Sequence, residues 1–204
     1  MTAASQALER LQDGNRRFVA SGGGGGDTGP ERRTELATGQ QPFAAVLGCA
    51  DSRVPPEIVF DQGLGDLFVV RVAGNVASST EVGSIEYAVE HLGSTLVVVL
   101  GHTGCGAVQA ALAEVEKPSH ELSHDLRSII DRVRPSIEPL LKATPKPDRP
   151  TLLHQAMREN VRASANRLRN GSRLVDRLVR EGELLVVGAE YSLETGVVEF
   201  FDGA

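Results

Sequence analysis

Apolar residues along this chain fall into two kinds of run. Residues 43–47, 67–72, 95–100 and 184–188 are short, nearly unbroken apolar blocks, the form taken by strands covered on both faces of a parallel sheet. Elsewhere apolar positions recur at three- and four-residue intervals, the helical period. Ala7, Leu8, Leu11 and Phe18 mark one helix over residues 5–20. Val82, Ile85, Val89 and Leu92 mark another, opened by a Ser78–Glu81 capping box and closed at Gly93. Leu122, Leu126, Ile129, Ile130, Val133 and Ile137 mark a third, in which Pro135 is expected to cause a kink. Shorter helical stretches are read at 55–60, from Cys105 to just before Pro118, at 151–169 and at 172–180. A loop with three prolines covers 144–150.

Strands and helices in alternation predict an α/β fold. The expectation is a mainly parallel central sheet of four strands, an edge strand over 197–201, flanking helices and an extended N-terminal helical arm. With 204 residues and no internal repeat, residues 1–204 read as one domain. Residues 1–26 form its arm and a glycine-rich linker. The run Gly22 to Gly26 lacks a preceding strand and a Gly-Lys-Ser/Thr ending, so it reads as a flexible tether rather than a phosphate loop.

Composition narrows the partners. Twenty-one basic residues against 27 acidic ones give a net charge of −6, which argues against a nucleic-acid surface. Arg16-Arg17 and Arg32-Arg33 read as solvated faces. No apolar run approaches the roughly 20 residues of a membrane span. The first residues lack a basic start and apolar centre, so the cytoplasm is the expected location.

Chemistry concentrates where two strands end. Gly48-Cys49-Ala50-Asp51-Ser52-Arg53 follows the first block and Gly101-His102-Thr103-Gly104-Cys105-Gly106 the third. Ligands bind beyond the carboxyl ends of such strands. Cys49, His102 and Cys105 make a thiolate–imidazole set suited to zinc, and three protein ligands leave one position for catalysis. A disulfide between the only two cysteines, or a closed site with Asp51 as fourth ligand, would use the same residues. His120 and His124 are four apart, but with no third ligand evident they read as surface histidines, as do His91 and His154.

Taken together, Cys-Ala-Asp-Ser-Arg and His-Thr-Gly-Cys-Gly resemble the β-class carbonic anhydrases. Residues 11–18, 65–71 and 84–89 resemble further segments of that family, from about Leu8 to Gln109 and again near Val186. The resemblance implies one zinc per chain on Cys49, His102 and Cys105, with reversible hydration of carbon dioxide to bicarbonate. It also implies an Asp51–Arg53 dyad beside the metal, Asp51 becoming a fourth ligand only in a closed state. Gln40, nine residues before Cys49, would donate to substrate, and Phe68 and Tyr87 would form an apolar wall across a subunit interface. The implied partner is a second copy in a homodimer or larger homo-oligomer, onto which the N-terminal arm would pack.

One subgroup is regulated by bicarbonate bound near a tryptophan, an arginine and a tyrosine. Arg71 and Tyr191 fit two of these, but Val46 stands where the tryptophan would be. The plant-like open site is therefore expected. Two alternatives remain at this point: hydrolysis of carbonyl sulfide or carbon disulfide on the same zinc, and a zinc-binding or redox module without turnover.

Overall fold

The computed structural model describes residues 2–119, 122–145 and 147–203. Its sheet runs in the order β2-β1-β3-β4-β5, from β1 (Ala44–Cys49), β2 (Leu67–Val72), β3 (Leu96–His102), β4 (Leu185–Tyr191) and β5 (Val198–Asp202). All neighbours are parallel except β5, which returns antiparallel to β4. This is the architecture expected from the apolar blocks.

Alternation along the strands divides the core in two. Ala45, Leu47, Cys49, Val97 and Val99 face α4 (Ser79–His91), α5 (Gly106–Glu116), α6 (His124–Leu141), α7 (Arg149–Gly171) and α8 (Arg173–Glu181). Ala44, Val46, Leu96, Val98 and Leu100 face α1 (Ala3–Ser21) and the short α3 (Pro56–Val59). β1 and β3 are buried at every position. The edge strand β2 differs from expectation: Phe68, Val69 and Val70 are only half-buried and Arg71 is exposed. Among the described residues no strand pairs beyond that edge, so its apolar residues are left partly uncovered.

The N-terminal helix is present, and it lies against its own domain. Leu11 is fully buried, worth about 1.5–3 kcal/mol for a side chain of that size. Asn15 fastens the helix further, donating to the Val59 and Gly196 carbonyls at 3.1 and 2.9 Å and accepting from the Val198 amide at 2.8 Å. A Cβ at Gly14 would stand 1.8 Å from the Phe60 carbonyl oxygen, so only glycine allows this approach.

The glycine run that follows is anchored rather than loose. The Gly24 and Gly25 amides donate to Asp61 Oδ1 at 2.8 and 2.7 Å, and Arg17 Nε to its Oδ2 at 2.7 Å. Burial pushes the Asp61 carboxyl up, but these donors outweigh it and hold it below its ordinary value.

A seven-residue helix, α2 (Pro30–Leu36), was not expected; it buries no residue and so shows no apolar stripe. The capping box of α4 is formed, with the Ser78 amide 3.1 Å from Glu81 Oε2. α6 continues as one helix through Pro135 and Pro139, its Ile130, Val133 and Ile137 held in the core. His120 lies outside the described residues, and His124 is exposed at the start of α6. Among the described residues no helix is long and apolar enough to cross a membrane.

Candidate metal centre

β1 and β3 are adjacent and parallel, with Gly48 opposite Leu100, so both strands deliver their last residues to one end of the sheet. Cys49 closes β1 and His102 closes β3. Gly104, at φ 68°, turns the chain back, a left-handed conformation that glycine adopts without strain. Cys105 then caps α5, one position before the first helical turn where it was expected.

The three side chains converge. Their ligand atoms all lie within 4.8 Å of one another, and all three residues are buried. Cys49 Sγ and Cys105 Sγ are 4.0 Å apart, within hydrogen-bond reach and without a disulfide. Tetrahedral zinc with bonds of about 2.3 Å separates two sulfurs by about 3.8 Å, so the pair is spaced for the metal and not for a disulfide. His102 Nδ1 is 3.0 Å from the Thr103 carbonyl oxygen, to which it donates. That fixes the tautomer and leaves the Nε2 lone pair inward. Nε2 is buried and has no hydrogen-bond partner among the described residues. An orphaned acceptor between two thiols fits a zinc ion.

The electrostatics of the metal-free pair agree. The bond from the Cys105 thiol is the main cause that brings Cys49 down, to about 4, against its burial. The same bond, with burial, pushes Cys105 up, although the Ala107 and Val108 amides at the start of α5 work the other way. The two sulfurs thus hold one proton between them. Burial lowers His102, but the neighbouring Cys49 sulfur outweighs it and the net shift is upward.

Asp51 stands beside this cluster, its Oδ2 3.9 Å from His102 Nε2. Arg53 grips both carboxylate oxygens, Nε to Oδ1 at 2.9 Å and NH2 to Oδ2 at 2.7 Å, while its amide adds a third bond at 3.0 Å. These bonds hold the carboxyl well below the usual range, so it is ionised at any working pH.

Carbonic anhydrase is the description of the family model that matches residues 44–198. The chain belongs to that family. Carbonic anhydrase 2 of Mycobacterium tuberculosis is 42% identical over 190 residues, covering 93% of this chain and 89% of that one. The carbonic anhydrase of Mycolicibacterium smegmatis is also 42% identical, over 95% and 91%. Among solved structures, the β-carbonic anhydrase CafA of Aspergillus fumigatus aligns with a TM-score of 0.76 at 28% identity, over 98% of this chain and 91% of that one. Coccomyxa β-carbonic anhydrase in complex with acetazolamide gives 0.71 at 25%, over 96% and 83%. The class is therefore β, and β-class carbonic anhydrases are zinc enzymes.

The other expected site residues sit on other elements. Gln40 is exposed, on a groove shared with Leu36, Leu64 and Gly65. Phe68 and Tyr87 form a ring pair with centroids 6.2 Å apart, on β2 and α4. Tyr87 is half exposed.

Sequence reasoning missed three supports. Arg71 donates from Nε to the Cys49 carbonyl at 3.0 Å and from NH2 to the Asp51 carbonyl at 2.5 Å, clamping the loop that carries both. Gly74, in the 3-10 turn Ala73–Asn75, donates its amide to Cys49 Sγ at 3.3 Å. Asn160 of α7 donates to the Gly74 carbonyl at 2.7 Å. Asn160 left a trace in the sequence, as an amide on the apolar stripe of its helix, whereas Arg71 stands out there only for a different role.

Proposed function

We propose that this chain hydrates carbon dioxide reversibly to bicarbonate and a proton, with Cys49, His102 and Cys105 holding one zinc per chain. The observation that carries the reading is the buried two-sulfur, one-imidazole cluster, with a carboxylate kept ionised beside it. Zinc, when bound, supplies the Lewis acidity that makes water a competent nucleophile near neutral pH. Asp51, an acceptor at any working pH, would orient that water toward substrate, and Arg53 would keep Asp51 turned to the task. A passive zinc module needs neither residue.

We assign substrate contact to Gln40, Phe68 and Tyr87 through a second copy of the chain. Support comes from β2, whose half-buried Phe68, Val70 and Val72 already pack on the main core yet await a cover at the sheet edge. A homodimer is the smallest unit that could cover them. Tyr87→Glu is expected to weaken self-association about 30-fold or more in sedimentation, the scale of losing an interface tyrosine, and to lower activity per chain with it. A fully active monomer would overturn the shared pocket.

We further infer the open-site, plant-like subgroup. Val46 is buried in one cluster with Tyr191, where no indole is available. The Arg71 guanidinium is already engaged by two backbone carbonyls. Two free thiols point to a reducing compartment such as the cytoplasm.

Stopped-flow measurement tests the reading. Carbon dioxide hydration should be robust, should vanish with a strong chelator and return with zinc, and should exceed turnover of carbonyl sulfide. The reverse preference would move the chain to the hydrolase alternative.

A further inference from the structure

Cys49 is also supported by residues outside both motifs. Gly74 has φ 73° and ψ 17°, and in that conformation its N–H points at Cys49 Sγ, 3.3 Å away. The carbonyl of the same residue is held by Asn160 Nδ2 at 2.7 Å. Asn160 is 1% exposed and lies 86 positions further along the chain, among Ala156, Met157, Val161, Ser164 and Ala165 on the buried face of α7. Burying an amide among such neighbours is costly unless it is bonded. An apolar residue would pack there without that cost, so packing alone does not explain the asparagine.

We propose that Asn160 is a positioning residue of the metal centre. By fixing Gly74 it aims the Gly74 N–H at the Cys49 sulfur, and so limits the charge this sulfur donates to a bound zinc. The need is chemical. Two thiolates neutralise a zinc dication and make it a weaker acid than neutral ligands would. A hydrogen bond to one sulfur draws electron density back from the metal and restores part of that acidity. Partners of this kind are typically worth about 10–100-fold in affinity or activity. The proposal rests on the zinc reading above.

Gly74 is itself a poor place to test this, because its backbone is left-handed and an added Cβ would meet Ala107 Cβ at 3.0 Å. Asn160 is the better handle. Wild-type, Asn160→Leu and Asn160→Gln proteins are loaded with cobalt(II) and, separately, with zinc. In the leucine variant the sulfur-to-cobalt charge-transfer band should move to lower energy, since the sulfur is more electron-rich. The pH midpoint of carbon dioxide hydration should move up, and activity at pH 7 should fall about 10-fold, the low end of that range. The glutamine variant, which keeps an amide donor, should move the band and the midpoint back toward wild type.

A folded leucine variant with wild-type band and midpoint would overturn the proposal and leave Asn160 a purely structural residue. Should the leucine chain fail to fold, Asn160→Ala carries the same comparison with less bulk. Failure of the wild-type chain to take up cobalt or zinc would instead strike the metal reading itself.

Discussion

Zinc content should fall from about one ion per chain to a small fraction in each of Cys49→Ser, His102→Ala and Cys105→Ser, with carbon dioxide hydration dropping to background. Each change removes one of three buried donors whose atoms already stand within 4.8 Å of one another, and two ligands do not make a zinc site. Metal analysis after dialysis is the measurement, and full retention in any two variants would contradict the assignment. Binding should also release a proton, because the metal-free sulfurs share one between them and zinc takes both as thiolates. Zinc affinity should therefore rise with pH.

Arg53→Ala should separate activity from metal. Zinc content should stay at the wild-type level, while kcat/KM near neutral pH falls by about 10²–10³, the scale of losing one preorganised polar contact at a reacting centre. The Asp51 carboxylate would lose its bonds to the guanidinium and turn freely, its pKa returning toward the ordinary range. Arg53 is mostly exposed, and exposed ion pairs contribute little to folding, so the melting temperature near pH 7 should fall only slightly, and the gap should close in acid. The acid limb should differ. A carboxyl depressed in the folded state stabilises above its unfolded pKa of about 3.9 and loses that contribution as pH falls. Wild type should lose this contribution below about pH 4, and Arg53→Ala should have little of it to lose. An Arg53→Ala enzyme with wild-type kcat/KM would refute the role given to the dyad.

The parts of this chain that its sequence made legible are those whose neighbours lie close along it or on the adjacent strand. Residues 67–72 were read as a strand with the observed bounds, and the Ser78–Glu81 box needs only a three-residue spacing. Cys49, His102 and Cys105 were legible because few other chemistries use that set at two strand ends. Other features depended on contacts between distant segments. The glycine run reads as a tether until Asp61, which receives its amides, is known to lie beside it. α2 has no buried residue and therefore no period. Arg71 matches, by resemblance, the arginine of a bicarbonate site, but its contacts with the carbonyls of Cys49 and Asp51 have no signature in the sequence. They are a property of the folded loop and not of residue type.

The pairing of β1 with β3 also has a consequence for biogenesis. Cys49 and Cys105 are 56 residues apart, and the intervening chain must complete β2, α4 and β3 before the third ligand reaches the first. Side chains alternate along a strand, so sliding β1 by one residue would turn Cys49 toward the α1 face. A chain trapped in that register would present two ligands at most and would not hold zinc. Because the ion binds the native pairing and not the slipped one, it draws the population toward the correct register by mass action. Refolding with zinc should therefore yield more protease-resistant chain than refolding with a chelator.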